Sequence, residues 1–162
     1  MGKLKYLIIH CSATPPQMEV TKADIEKWHL VERGWSKVGY SKLFQRSGNV
    51  IDFYEIDSDQ WVSANEVTNG AVGFNDKAVH WCFAGGLDKH GNELLGYLDL
   101  VLTPAQMINF RHELNEFLNY HPDIKIIGHN QVSTKQCPGF NVSELLKIYG
   151  IPDKYFLEGK VK

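Results

Sequence analysis

Three side chains in this sequence carry donors suited to a divalent transition metal: His10, His129 and Cys137. Such ions take imidazole nitrogen and thiolate sulfur, and a catalytic zinc keeps three protein ligands and one open position. His10 ends one apolar run, residues 6–10, and His129 follows another, residues 125–128, with Cys137 across a polar loop. Two strand ends and one loop could converge at one edge of a sheet. A His-x7-Cys spacing is less diagnostic than paired Cys-x-x-Cys motifs, and seven histidines allow many chance triples. On spacing alone, His10 could equally be a core histidine and Cys137 a small buried hydrophobe. His29, His90, His112 and His121 read as solvated helix or loop positions. Cys11 and Cys82 sit in apolar runs and read as inert.

The elements that must hold these groups are legible in the hydrophobic pattern. Residues 6–10 are apolar and rich in β-branched types, which predicts a strand buried on both faces. Strand alternation puts Ile8, His10 and Ser12 on one face and Ile9 and Cys11 on the other, so His10 and Cys11 should not share an ion. Thr21 is a candidate N-cap with Asp24 three residues on and Gly34 as the stop; Ile25, Trp28, His29 and Glu32 keep helical spacing between them. Residues 40–45 and 50–54 flank Ser47-Gly48-Asn49 and predict a hairpin. Residues 57–76 read as a long polar loop. Residues 78–84 predict a second buried strand before Gly85-Gly86. Thr103-Pro104-Ala105-Gln106 is a capping box with proline at the first helical position, and Met107, Phe110, Leu114 and Phe117 carry that helix to about Tyr120. Residues 125–128 predict a strand. Asn141 caps a last helix that Gly150 and Pro152 end. Strands alternating with helices give an α/β or α+β chain built on one layered sheet.

Length and composition bound the partners. A chain of 162 residues fits a single domain, and 43% hydrophobic content is enough to bury a core. A net charge of -2 lacks the basic excess of a nucleic-acid or membrane-surface binder. Three cysteines cannot all pair, which argues for synthesis in a reducing compartment. The run after Lys3 and Lys5 is too short for a signal peptide, and no run reaches the roughly 18 apolar residues of a membrane span. The expectation is a protein cytoplasmic when made, monomeric, with no nucleic-acid or membrane partner.

Four segments, in order, carry a resemblance. Ile9-His10-Cys11-Ser12-Ala13-Thr14 resembles the opening motif of the zinc-dependent N-acetylmuramoyl-L-alanine amidases, the family of the phage amidase-type lysozymes, type 2 amidases and peptidoglycan recognition proteins. Gly34-Trp35-Ser36-Lys37-Val38-Gly39-Tyr40 is similar to its tyrosine motif, and Leu102-Thr103-Pro104-Ala105-Gln106-Met107 to the start of its long helix. Gly128-His129 through Lys135-Gln136-Cys137-Pro138-Gly139-Phe140 is similar to its closing metal motif. The similarity runs from about residue 6 to 148 and is greatest towards the phage lysozymes. It implies a single amidase domain over residues 1–162, with a central mixed β-sheet flanked by helices and residues 152–162 as a tail. It implies a zinc ion (Zn2+) held by His10, His129 and Cys137, with Tyr40 and Lys135 as catalytic helpers. Spacing alone would leave Tyr40 as a packed strand aromatic and Lys135 as a solvated loop cation. Two neutral imidazoles and a thiolate would leave the centre a single positive charge, able to polarise water and a carbonyl, while a hydroxyl and an ammonium steady the oxyanion.

The implied function is endolysin-like hydrolysis of the amide between N-acetylmuramic acid and L-alanine in peptidoglycan, after delivery to the wall by a holin or a secretion machine. Two other functions are compatible with the family. Some recognition proteins hold peptidoglycan without cutting it, but these usually lack the cysteine ligand, present here as Cys137. The phage lysozymes also inhibit their phage's RNA polymerase through surface that includes the segment before the first strand. With only residues 1–5 ahead of that strand, the expectation is an amidase without that regulatory role, and residues 152–162 are too short for a wall-binding domain. Two positions depart from the pattern. Gly70 stands where the phage relatives carry a histidine, and His80-Trp81 stands where the family has a small pair such as Ile-Gly. Packing in the core or behind the site is the favoured role for His80, ahead of entry into the cleft.

Overall fold

The computed structural model describes residues 2–161. Five strands form the central sheet in the order β4-β3-β6-β2-β7. They are β2 (Tyr6–Cys11), β3 (Lys42–Phe44), β4 (Val50–Asp52), β6 (Ala78–Phe83) and β7 (Lys125–Gly128). β2 pairs in parallel with β6 and β7, and β3 in parallel with β6, while β3 and β4 form the antiparallel hairpin. The sheet is therefore mixed and flanked by helices, as expected. A second, two-stranded sheet pairs β1 (Gly2–Lys3) with β5 (Trp61–Val62). Of residues 1–5, Met1 lies outside the described residues.

Alternation along β2 and β6 sorts their side chains between two environments. Leu7, Ile9, Val79, Trp81 and Phe83 face the main core with Phe44, Phe110 and Leu114. That face is covered by α3 (Pro104–Tyr120) and α4 (Val142–Ile148). The α3 capping box forms as the sequence predicts: the Thr103 hydroxyl accepts the Gln106 N–H at 3.1 Å, and the Gln106 side chain accepts the Thr103 N–H at 2.9 Å. The Gln106 amide then donates to Phe44 O and Ala84 O at 3.0 and 2.8 Å, fixing the helix start to two strand ends. A four-residue helix, α2 (Leu98–Val101), precedes it and had no clear sequence signal.

The opposite sheet face carries His10 and His80 together with Leu43, Cys82 and Ala84, which pack against α1 (Lys22–Glu26) through Ile25. Thr21 caps α1 with Asp24 as expected. The predicted regular helix, however, continues as a π-helix, Lys27–Glu32, before Gly34 stops it at φ 66°. The wider turn follows from His29, which points inward: its Nδ1 accepts the Gly39 N–H at 3.0 Å.

Residues 57–76 are more ordered than a surface loop. Besides β5, the buried Glu66 carboxylate accepts the Asp57 and Ser63 N–H groups at 2.8 and 2.7 Å. Two-residue strands and a carboxylate tie leave no periodic pattern to read. The tail also packs. Phe156 is buried beside Ile126, and Lys160 Nζ donates to Asn130 O and Ser133 O at 2.5 and 2.6 Å. Among the described residues, no helix is long and apolar enough to cross a membrane.

Candidate metal centre and its cleft

His10 reaches the site from the end of β2, His129 from the 3-10 turn after β7, and Cys137 from the loop beyond. Their donor atoms all lie within 4.8 Å of one another. His10 Nδ1 is 3.9 Å from Cys137 Sγ. Zinc bonds of about 2.0–2.3 Å place neighbouring ligand atoms roughly 3–4 Å apart, so the donor types suit a tetrahedral ion and the His10–Cys137 pair already stands at that separation.

Local sequence explains the convergence. Ser12 and Thr14 hydroxyls both accept the Gly85 N–H, at 3.0 and 3.2 Å, locking the end of β2 to the end of β6. Between them Ala13 adopts a left-handed backbone at φ 53°, a conformation uncommon for any residue with a Cβ, flanked here by the hydroxyl bonds to Gly85. The loop from His129 closes on itself where Asn130 N–H donates to Cys137 O at 2.6 Å. Cys11 N–H donates to Cys137 Sγ at 3.1 Å. Cys11 itself is half-buried rather than enclosed in the strand, and it lines the same cleft at the strand end.

Burial and nearby cationic groups favour neutral imidazoles. Burial, with His80, His129 and Lys135 nearby, holds His10 well below the usual histidine range. Burial and Lys135 push His129 down to about 4. The neighbouring Cys11 sulfur and burial push the Cys137 thiol up, while the Cys11 N–H works the other way. A cation at the centre would reverse that balance and release the thiol proton.

The three donors open onto a cleft of about 380 Å³. Tyr40 and Lys135 both line it, so the five residues singled out by the motifs surround one space. The Tyr40 ring lies 5.2 Å from the His10 ring. Burial, with the thiols of Cys82, Cys137 and Cys11, holds its phenol well above the usual range, so it remains a proton donor. Lys135 is exposed on the metal loop.

Two histidines expected in solvent, His29 and His121, are instead buried. His121 packs against Phe117 at the end of α3. His29 is more consequential, because it sits beneath Trp35 at 4.7 Å and beside Tyr40 at 5.2 Å, backing the cleft wall. Its place on the face of Ile25 was the available sequence signal. Arg33, Trp35 and Glu93 also line the cleft, and nothing in their spacing marked them.

The family model for N-acetylmuramoyl-L-alanine amidase matches residues 1–140. The chain is 34% identical over 139 residues to an endolysin of Enterobacteria phage K11, covering 86% of this chain and 83% of that protein. It is also 34% identical over 136 residues to an endolysin of Klebsiella phage KP32, covering 84% of this chain and 81% of that one. A solved N-acetylmuramoyl-L-alanine amidase, LysC from Clostridium intestinale, shares the fold with a TM-score of 0.69 at 19% identity, over 93% of this chain and 88% of that one. With the match spanning the strands and loops that carry all five residues, the chain belongs to the N-acetylmuramoyl-L-alanine amidase family.

Proposed function

We propose that this protein is a zinc-dependent peptidoglycan hydrolase that cleaves the amide between N-acetylmuramic acid and L-alanine. One observation supports this reading above the rest: His10, His129 and Cys137 bring their donors within 4.8 Å at the cleft that Tyr40 and Lys135 line. His10, His129 and Cys137 would hold the ion. Zinc bound there supplies a Lewis acid that lowers the pKa of a water and polarises the scissile carbonyl. The chain's own groups do the remaining work. Tyr40, kept protonated, donates a hydrogen bond to the oxyanion as it forms, and the Lys135 ammonium offsets its charge. Buried His29 and Trp35 hold the wall from which Tyr40 projects. The whole chain acts as one catalytic domain, as a monomer, on the cell wall.

Digestion of purified peptidoglycan tests this, with the new chain ends identified by mass. The expected products are a free L-alanine amino terminus on the stem peptide and an intact muramic-acid lactyl group. A chelator should abolish their release and Zn2+ should restore it. Products carrying new sugar reducing ends, or full activity in protein shown to contain no metal, would overturn the assignment.

A further inference from the structure

His80 makes a contact that the mechanism above does not use. It is fully buried in the middle of β6 and does not line the cleft. Its Nδ1 lies 3.0 Å from His10 Nε2, on the side of the His10 ring away from Cys137. A neutral imidazole carries one N–H and one lone pair. For His10 Nδ1 to offer a lone pair to an ion beside Cys137, the His10 proton must sit on Nε2. That proton then needs an acceptor, and His80 Nδ1 is the atom placed to receive it. This leaves the His80 proton on its Nε2, which has no hydrogen-bond partner among the described residues. Leaving a buried donor unmatched is unfavourable, so the ring's position has to be enforced by something else.

Gly70 leaves room for that ring. A Cβ at residue 70 would lie 2.3 Å from His80 Nδ1 and 2.4 Å from its Cγ. The glycine is not needed for a left-handed backbone; it is needed because the His80 ring, together with the Gly39 carbonyl oxygen at 2.6 Å, fills the space a side chain would take. The two departures from the family pattern are thus physically one arrangement. We propose that His80 is a positioning residue which accepts the His10 Nε2 proton and thereby presents His10 Nδ1 to the metal, and that Gly70 is the vacancy which admits its ring. This rests on the zinc reading above. Acceptors behind metal-bound histidines typically contribute 10–100-fold to metal affinity.

Zinc affinity, measured by competition with a chromogenic chelator on the full chain, separates the two ideas. Absence of zinc binding by the unaltered protein would overturn the zinc reading and this proposal with it. Given zinc binding, His80→Leu should weaken it on the order of 10–100-fold. His80→Asn, whose side-chain oxygen stands near the position of Nδ1, should stay within a few-fold. Gly70→Ala should also weaken binding although it touches no ligand. Val79→Ala, a neighbour on the other sheet face, should lose stability and keep its affinity. Equal affinities for folded His80→Leu and the unaltered protein, or equal losses in the Leu and Asn variants, would overturn the proposal. Should His80→Leu fail to fold, the zinc-loaded unaltered protein gives an independent readout by nitrogen NMR. His10 Nε2 should be protonated and scalar-coupled to His80 Nδ1, and a proton on His10 Nδ1 would overturn the assignment.

Discussion

The two faces of the central sheet are buried to similar extents and built for different ends. On the α3 side, Phe44, Trp81, Phe83 and Phe110 interlock, with ring centroids 4.9–5.8 Å apart. Across the same strands, one residue out of phase, lie His10, His80 and Cys82, and behind them Tyr40 and His29. Val79, Trp81 and Phe83 serve the first face; His80 and Cys82 serve the second. The aromatic face contributes apolar burial, about 1.5–3 kcal/mol for each fully buried large side chain. The histidine face keeps titratable groups out of water, each at a desolvation cost that its neighbours only partly offset. The lesson is that the rigid face holds the strands, so that the less favourable face can keep its donors aligned.

That division can be broken experimentally, and the sharpest attempt pairs one substitution on each side. Cys137→Ser should remove the metal and abolish activity while changing the fold little. Phe110→Ala should cost about 3–5 kcal/mol of stability in urea unfolding yet leave zinc stoichiometry and activity intact in the folded protein. Loss of zinc in folded Phe110→Ala would mean that the faces are not separable.

A smaller effect is expected within the histidine face. Tyr40→Phe and Lys135→Ala should each keep zinc and lose turnover on the order of 10²–10³-fold, because both are proposed to act on the oxyanion alone. Full turnover in both variants would remove them from the chemistry and leave them as cleft wall.

The smallest effect concerns mild acid. Burial, first among the causes, pushes His29 and His129 down to about 4 and His80 down to about 3. A histidine lowered in the folded state binds more protons when unfolded, where its pKa is near 6.5. Stability of the chelated protein should therefore be full above about 6.5 and fall as pH drops towards 4. The decline should begin between about pH 7 and 6, where the unfolded-state histidines take up their protons, and steepen below about pH 6. Phe110→Ala should retain the same slope and His29→Gln should flatten it; an unaltered slope in His29→Gln would place the acid sensitivity elsewhere.

Much of this was legible in the chain. The Thr21 and Thr103 caps, the hairpin around Gly48, the buried strands and the order of the motifs are local signals. Each depends on residues within a few positions, where propensity and periodicity act directly. Those signals alone left His10, Tyr40, Lys135 and Cys137 open to packing or solvated roles; it was the resemblance of four ordered motifs to the amidase family that singled out His10, His129, Cys137, Tyr40 and Lys135. Signals that depend on distant partners were silent or misleading. The π-helix at residues 27–32 exists because His29 meets Gly39 and Trp35, and no local pattern separates it from a regular helix. Cys11 read as enclosed because alternation assigns a face and cannot say that a strand end opens on a cleft.

The sequence by itself determined the long helix, the buried strands and the hairpin, because hydrophobic period and caps are written residue by residue, and its ordered motifs carried the resemblance that marked five side chains. Only the tertiary structure decided that His10, 119 positions before His129 and 127 before Cys137, would stand within bonding reach of the same ion. It also decided that Gly70 and His80 are one feature. Parallel pairing of β2 with β6 and β7 sets the end of β2 beside His80 and the turn that carries His129, which no shorter-range interaction could do.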